Sequence, residues 1–78
     1  MFDYHDVVYR FRGYSPNGEI IETQELRQAY YWARQESRRQ LREAAIVSES
    51  RPVEMGEIIL VSLETGEILA KFPGADVW

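Results

Sequence analysis

The spacing of hydrophobic positions changes twice along the chain. Val7, Val8, Tyr9 and Phe11 form a β-branched and aromatic run that leads through Gly13 to Ser15-Pro16-Asn17-Gly18, after which Ile20 and Ile21 resume the apolar pattern. Two such runs around a turn-forming cluster predict a hairpin, with VVYRF as its first strand, and Asn-Gly suits the positive φ angles that tight hairpin turns require. From Thr23 the spacing becomes helical. Leu26, Ala29, Tyr30, Ala33, Ser37, Leu41 and Ala44 recur at separations of three and four, which places their side chains on one helical face. Thr23 is read as the N-cap, Glu25 as a first-turn anion favoured by the helix dipole, and Ser48, Ser50 and Pro52 as the stop. The helix is therefore expected from about residue 24 to about residue 46.

EIILVSLETGEILAKF, residues 57–72, returns to alternation around Thr65-Gly66. It predicts a second hairpin, ended by Gly74 after Pro73. Ile59, Val61 and Leu63 are expected to share a face with Ile68, Ala70 and Phe72 and to meet the helix. The order β-β-α-β-β then predicts an α+β fold, residues 1–78 forming one domain, in which a single amphipathic helix covers one face of a four-stranded antiparallel sheet.

Composition narrows the class. With 78 residues there is room for one small core, and 45% hydrophobic against 28% charged residues is the balance of a folded chain. There is no cysteine, so disulfide and thiolate chemistry are excluded and a reducing, cytoplasmic setting is expected. No stretch approaches the roughly 20 apolar residues that span a bilayer, and the N-terminus lacks the pattern of a secretion signal. A net charge of -4 speaks against a general DNA-coating or membrane-surface role.

The distribution of charge says more than its total. Residues 27–42 hold five Arg and one Glu, whereas the rest of the chain holds four basic and twelve acidic groups. At 100 degrees per residue, Arg27, Tyr31, Arg34, Arg38 and Arg42 fall in a stripe about 80 degrees wide beside the apolar face. Glu25, Glu36 and Glu43 lie on the other flank with Trp32 and Arg39. The stripe reads in two ways. Guanidinium groups interleaved with an aromatic ring suit phosphates or a partner's carboxylates; alternatively, the arginines pair with strand glutamates and their stems cover apolar surface.

Two further surfaces stand out. If Ile59, Val61 and Leu63 face the helix, alternation turns Ile58, Leu60 and Leu69 outward near Val8. That apolar face would support self-association, unless Phe2, Tyr4, Val77 and Trp78 from the two tails fold beneath it; a monomer or a homodimer is expected. Acidic residues gather at the turns, Glu64 and Glu67 around the second and Glu19 and Glu22 after the first. They suit either the basic groove of a protein partner or simple solubility.

Candidate chemistry is sparse. His5 lies between Asp3 and Asp6, too few groups to fix a metal, and no serine has a neighbouring base. Gly13, Gly18, Gly56, Gly66 and Gly74 are isolated and lack phosphate-loop spacing. No catalytic residue, cofactor or metal ligand is therefore assigned.

YRFRGYSPNGEIIETQELRQAYYWAR, followed by GEIILVSLETGEILAKFPGADVW, resembles a family of short uncharacterised alpha-proteobacterial proteins. These share an aromatic strand, a Gly-containing turn, a Glu-Leu helix entry rich in Ala and Arg, and a two-strand ending before a short Ala-Asp tail. The turn departs from the family, with SPNG in place of an acidic sequence. The resemblance implies no activity. In size, acidity and lack of catalytic motifs the chain is also similar in type to phage anti-CRISPR inhibitors. The leading expectation is thus a non-enzymatic protein-binding module, most concretely an inhibitor that blocks a basic, nucleic-acid-handling effector complex through Glu36, Glu43, Glu64 and Glu67, with Trp32 as an aromatic anchor. One alternative is a nucleic-acid-binding module using the Arg27–Arg42 stripe, direct nucleic-acid contact ranking below a protein partner. Another is a homo-oligomeric structural protein associating through Ile58, Leu60 and Leu69.

Overall fold

Both hairpins close on a glycine in the left-handed region. In the computed structural model, which describes residues 8–77, Ser15 and Glu19 pair across the first turn, and the Gly18 N–H donates to the Ser15 carbonyl at 3.0 Å with Gly18 at φ 90°. No residue other than glycine has positive φ among those described. Asn17 therefore serves the turn through its side chain, whose Oδ1 accepts from the Glu19 N–H at 3.0 Å, and not through a left-handed backbone. In the second turn Gly66 (φ 76°) donates to the Ser62 carbonyl at 2.7 Å.

These turns join β1 (Phe11–Tyr14) to β2 (Ile20–Thr23) and β3 (Val53–Ser62) to β4 (Ile68–Val77), with α1 (Leu26–Val47) between the pairs. The sheet has the order β2-β1-β3-β4 and every neighbouring pair is antiparallel, so the expected α+β architecture and element order are those of the molecule. β1 begins at Phe11 and not at Val7, because its partner β3 turns away at Ser62. The Leu63 N–H to Arg10 carbonyl bond, 2.9 Å, is the last link there, and Val8 and Tyr9 lie exposed beyond it. The sequence reading ended the last strand at Gly74 after Pro73, but β4 continues through both to Val77. As the edge strand it loses no inter-strand bond to a proline without an N–H. Val77 accordingly pairs with Val53 and does not fold beneath the sheet. Phe2, Tyr4, His5 and Trp78 lie outside the described residues.

The helix begins later than expected. Thr23 is held in β2 opposite Phe11, leaving Glu25 in the N-cap position without a side-chain cap. The Thr23 Oγ1 accepts from the Glu25 N–H at 3.2 Å and donates to Gln28 Oε1 at 2.7 Å, steering the chain from strand into helix.

α1 buries Ala29, Ala33, Ser37, Gln40 and Ala44, mostly small side chains that let the helix lie close to the sheet. The core cluster is Ala29, Ala33, Ile58 and Leu60, bordered by Phe11, Tyr30, Trp32, Ala70 and Phe72. The phase of β3 is therefore opposite to the sequence expectation. Ile58 and Leu60 are 0% exposed and face the helix, so they cannot form an outward association patch; Leu69 is half-buried. The cause is register. Ile58 pairs with Phe72 and Leu60 with Ala70, but a bulge between Leu60 and Val61 then sets Val61 opposite Ile68. Ile59 thus shares its face with Lys71, and Ile68 moves to the uncovered side. That side carries two cross-strand rows, Ile20–Tyr14–Ile59–Lys71 and Glu22–Arg12–Val61–Ile68, whose Arg12 and Glu22 form an ion pair at 2.7 Å.

Polar groups continue the helix–sheet contact where the apolar core ends. Gln40, 3% exposed, accepts from the Ala75 N–H at 3.0 Å and donates to Ser15 Oγ at 2.6 Å. The Ser37 hydroxyl donates to the Pro73 carbonyl at 2.6 Å. Beside them Pro16 packs over Gly56 and Gly74, where a Cβ would come within 3.1 and 3.0 Å of its ring. One glutamine and one proline thus tie the first turn, the helix and the second hairpin together.

Candidate anion-binding face of the helix

The inward helical positions set the direction of the outward ones. With Ala29, Ala33, Ser37, Gln40 and Ala44 against the sheet, Arg27, Tyr31, Arg34, Arg38 and Arg42 are all exposed, Tyr31 at 68%. At a rise of about 1.5 Å per residue the four arginines extend over about 22 Å along the axis. None of them has a carboxylate oxygen within 4.0 Å among the described residues. The pairing with strand glutamates that would make the stripe a plain solvated surface is not formed.

Six of the acids are engaged elsewhere, Glu22 with Arg12 among them. Arg39 lies within 3.6 Å of both Glu19 and Glu43 and binds Glu36 more closely. Burial works to raise the Glu36 pKa, but hydrogen bonds from Arg39 and Gln40, together with the Arg39 charge, outweigh it and hold this carboxyl below its usual range. The same partnership raises the pKa of Arg39, chiefly through the Glu36 hydrogen bond. Glu64 pairs with Arg10 at 2.6 Å, and Glu57 approaches Lys71 at 4.0 Å.

The acidic contact set inferred from sequence is thus divided in space. Glu36 and Glu43 stand with Arg39 beside the first turn, whereas Glu64 and Glu67 stand at the β3–β4 turn, which lies at the other end of β1. Trp32 is half-buried, its ring over Gly13, where any Cβ would collide with it. This glycine is a strand residue that makes room for an indole, not a turn residue.

Two depressions flank the exposed Tyr31. A cationic basin of about 360 Å³ is lined by Arg27, Tyr30, Tyr31, Arg34, Gln35 and Arg38. On the β2 side an apolar groove of about 530 Å³ is lined by Ile21, Arg27, Gln28, Tyr31, Trp32, Gln35 and Glu36. Arg27, Tyr31 and Gln35 belong to both, so the two form one continuous surface. Each lies within the roughly 300–1,000 Å³ of small-ligand sites. The sequence reading found the arginines and Tyr31 from their angular position but missed Ile21, Gln28, Tyr30 and Gln35. Gln28 and Gln35 are adjacent to the stripe on the same helical projection, whereas Ile21 joins the groove only through the tertiary fold.

No helix among the described residues is long and apolar enough to cross a membrane. Comparison of the chain with protein-family models, curated proteins and solved structures returned no match.

Proposed function

We propose that this protein is a non-enzymatic binding module that engages an anionic macromolecule through the outward face of α1. The observation carrying the reading is the set of four exposed arginines without carboxylate partners among the described residues, in a chain whose acids outnumber its bases by 13 to 9. Exposed guanidinium groups offer planar paired donors to phosphate or carboxylate, and the neighbouring depressions add shape to charge. Retention on immobilised heparin tests it. The chain is expected to bind despite its net charge of -4 and to elute with rising salt, while Arg34→Glu/Arg38→Glu passes through unretained. Equal elution of the two proteins defeats the reading.

A second reading, inhibition of a nucleic-acid-handling effector of the kind blocked by anti-CRISPR proteins, draws support from Glu64 and Glu67 on the exposed β3–β4 turn. It ranks lower because Glu36 and Glu43 already serve Arg39. It requires that Glu64→Lys/Glu67→Lys abolish competition with DNA for such an effector.

A further inference from the structure

Resting on the anion-binding reading above, we infer that the partner is a single strand of nucleic acid, held with one base in the groove between α1 and β2 and its phosphates along the arginines. The groove places an aromatic wall, Tyr31 and Trp32, against an apolar one, Ile21, the pairing on which a flat base stacks. Polar groups within it match the edge of a base. Thr23 donates to Gln28 Oε1 at 2.7 Å, which fixes that amide and leaves its NH₂ without an acceptor among the described residues. Gln35 likewise has no hydrogen-bond partner there. Glu36, the one carboxylate on the groove wall, is neutralised by Arg39.

The basin beyond Tyr31 supplies the phosphate contacts. Arg34, Arg38 and Arg42 follow one another at four-residue intervals, about 6 Å apart along the axis, so they form a single cationic track. A duplex keeps its bases paired and stacked, so none could enter the groove without being extruded, whereas a single strand offers an unstacked base together with one line of phosphates; the helix flank away from this track carries Glu25 and Glu43. An acidic peptide could meet the arginines, but it gains nothing from paired amides beside a stacking wall.

The full chain carrying Trp78→Phe, in which Trp32 is the sole tryptophan, is titrated with a short oligothymidylate, an abasic strand of equal length and a polyglutamate peptide. Oligothymidylate is expected to bind with a log–log salt slope of about -3, four phosphates at about 0.7 each, and to quench Trp32 emission. The abasic strand should bind more weakly without quenching. Tyr31→Ala, at an exposed position, should weaken oligothymidylate roughly fivefold or more with the slope unchanged, and Arg38→Gln should lower the slope by about 0.7. Equal binding of the two strands with no change in Trp32 removes the base seat while leaving the anion-binding face in place. Polyglutamate binding without oligothymidylate binding overturns the nucleic-acid inference alone; binding of none of the three overturns both it and the proposed function.

Discussion

The two sides of α1 treat charge in opposite ways. Arg39 is surrounded by Glu19, Glu36 and Glu43, next to Gln40, which bonds both the first turn and β4. Roughly 60 to 140 degrees around the same helix, Arg27, Arg34, Arg38 and Arg42 have no such partners among the described residues, although acids exceed bases in the chain. Geometry and not supply makes the difference: Glu22 and Glu57 lie on the uncovered sheet face, Glu19, Glu64 and Glu67 stand at turns, Asp76 stands beside Arg39 and Glu43, and none comes within 4.0 Å of the stripe. One arginine consolidates the fold, and the other four stand exposed.

The sharpest way to break that division is to remove what holds the inner side. Leu60→Ala should cost about 2–5 kcal/mol, read as a lowered urea midpoint, because Leu60 is fully buried under Ala29 and Ala33. Survival of full stability would show that the helix does not seat there. Gly13→Ala should cost about 1–3 kcal/mol by overpacking and shift Trp32 emission as its ring is displaced. Gln40→Ala removes an acceptor of the Ala75 N–H and a donor to Ser15; about 1–3 kcal/mol is expected, with faster amide exchange at Ala75.

The ionic side is sharpened by acid. Because the folded-state pKa of Glu36 is depressed, its contribution is present above the unfolded carboxyl value of about 4.3 and is lost as pH falls through the lower folded value. Arg39→Gln should flatten that acid limb in urea melts across a pH series; an unaltered limb would show that Arg39 is not its source. Least of all should Arg34→Ala/Arg38→Ala affect the fold. A change within about 0.5 kcal/mol is expected, since neither residue has an ion-pair partner among the described residues, and a larger loss would place the stripe on the structural side of the comparison.

How much of this was legible in the sequence depended on whether a residue's role was local. Asn17-Gly18 and Thr65-Gly66 marked both turns, and the three-and-four spacing from Leu26 to Ala44 marked the helix, because those signals depend on near neighbours. The phase of β3 was not legible. Ile58, Ile59, Leu60 and Val61 are apolar in both alternations, and the choice rests on pairing with Phe72 and Ala70 and on the bulge at Leu60/Val61. Lys71 was the available clue, since the side bearing it had to be the uncovered one. Gln40 was not among the inward positions read from the spacing, because a buried amide is acceptable only once distant Ser15 and Ala75 supply its partners. The arginine stripe was visible from angular position, but its lack of carboxylates follows from where the strand acids fall.

The central pairing of the sheet joins residues 11–14 to residues 59–62, so the first hairpin acquires its second neighbour only from the far half of the polypeptide. A lone two-stranded ribbon is marginal in water, and long-range strand pairing slows folding. During synthesis the arginine-bearing helix therefore leaves the ribosome before the platform that orients it exists, and the cationic face is assembled in a late folding step, along with the core beneath it.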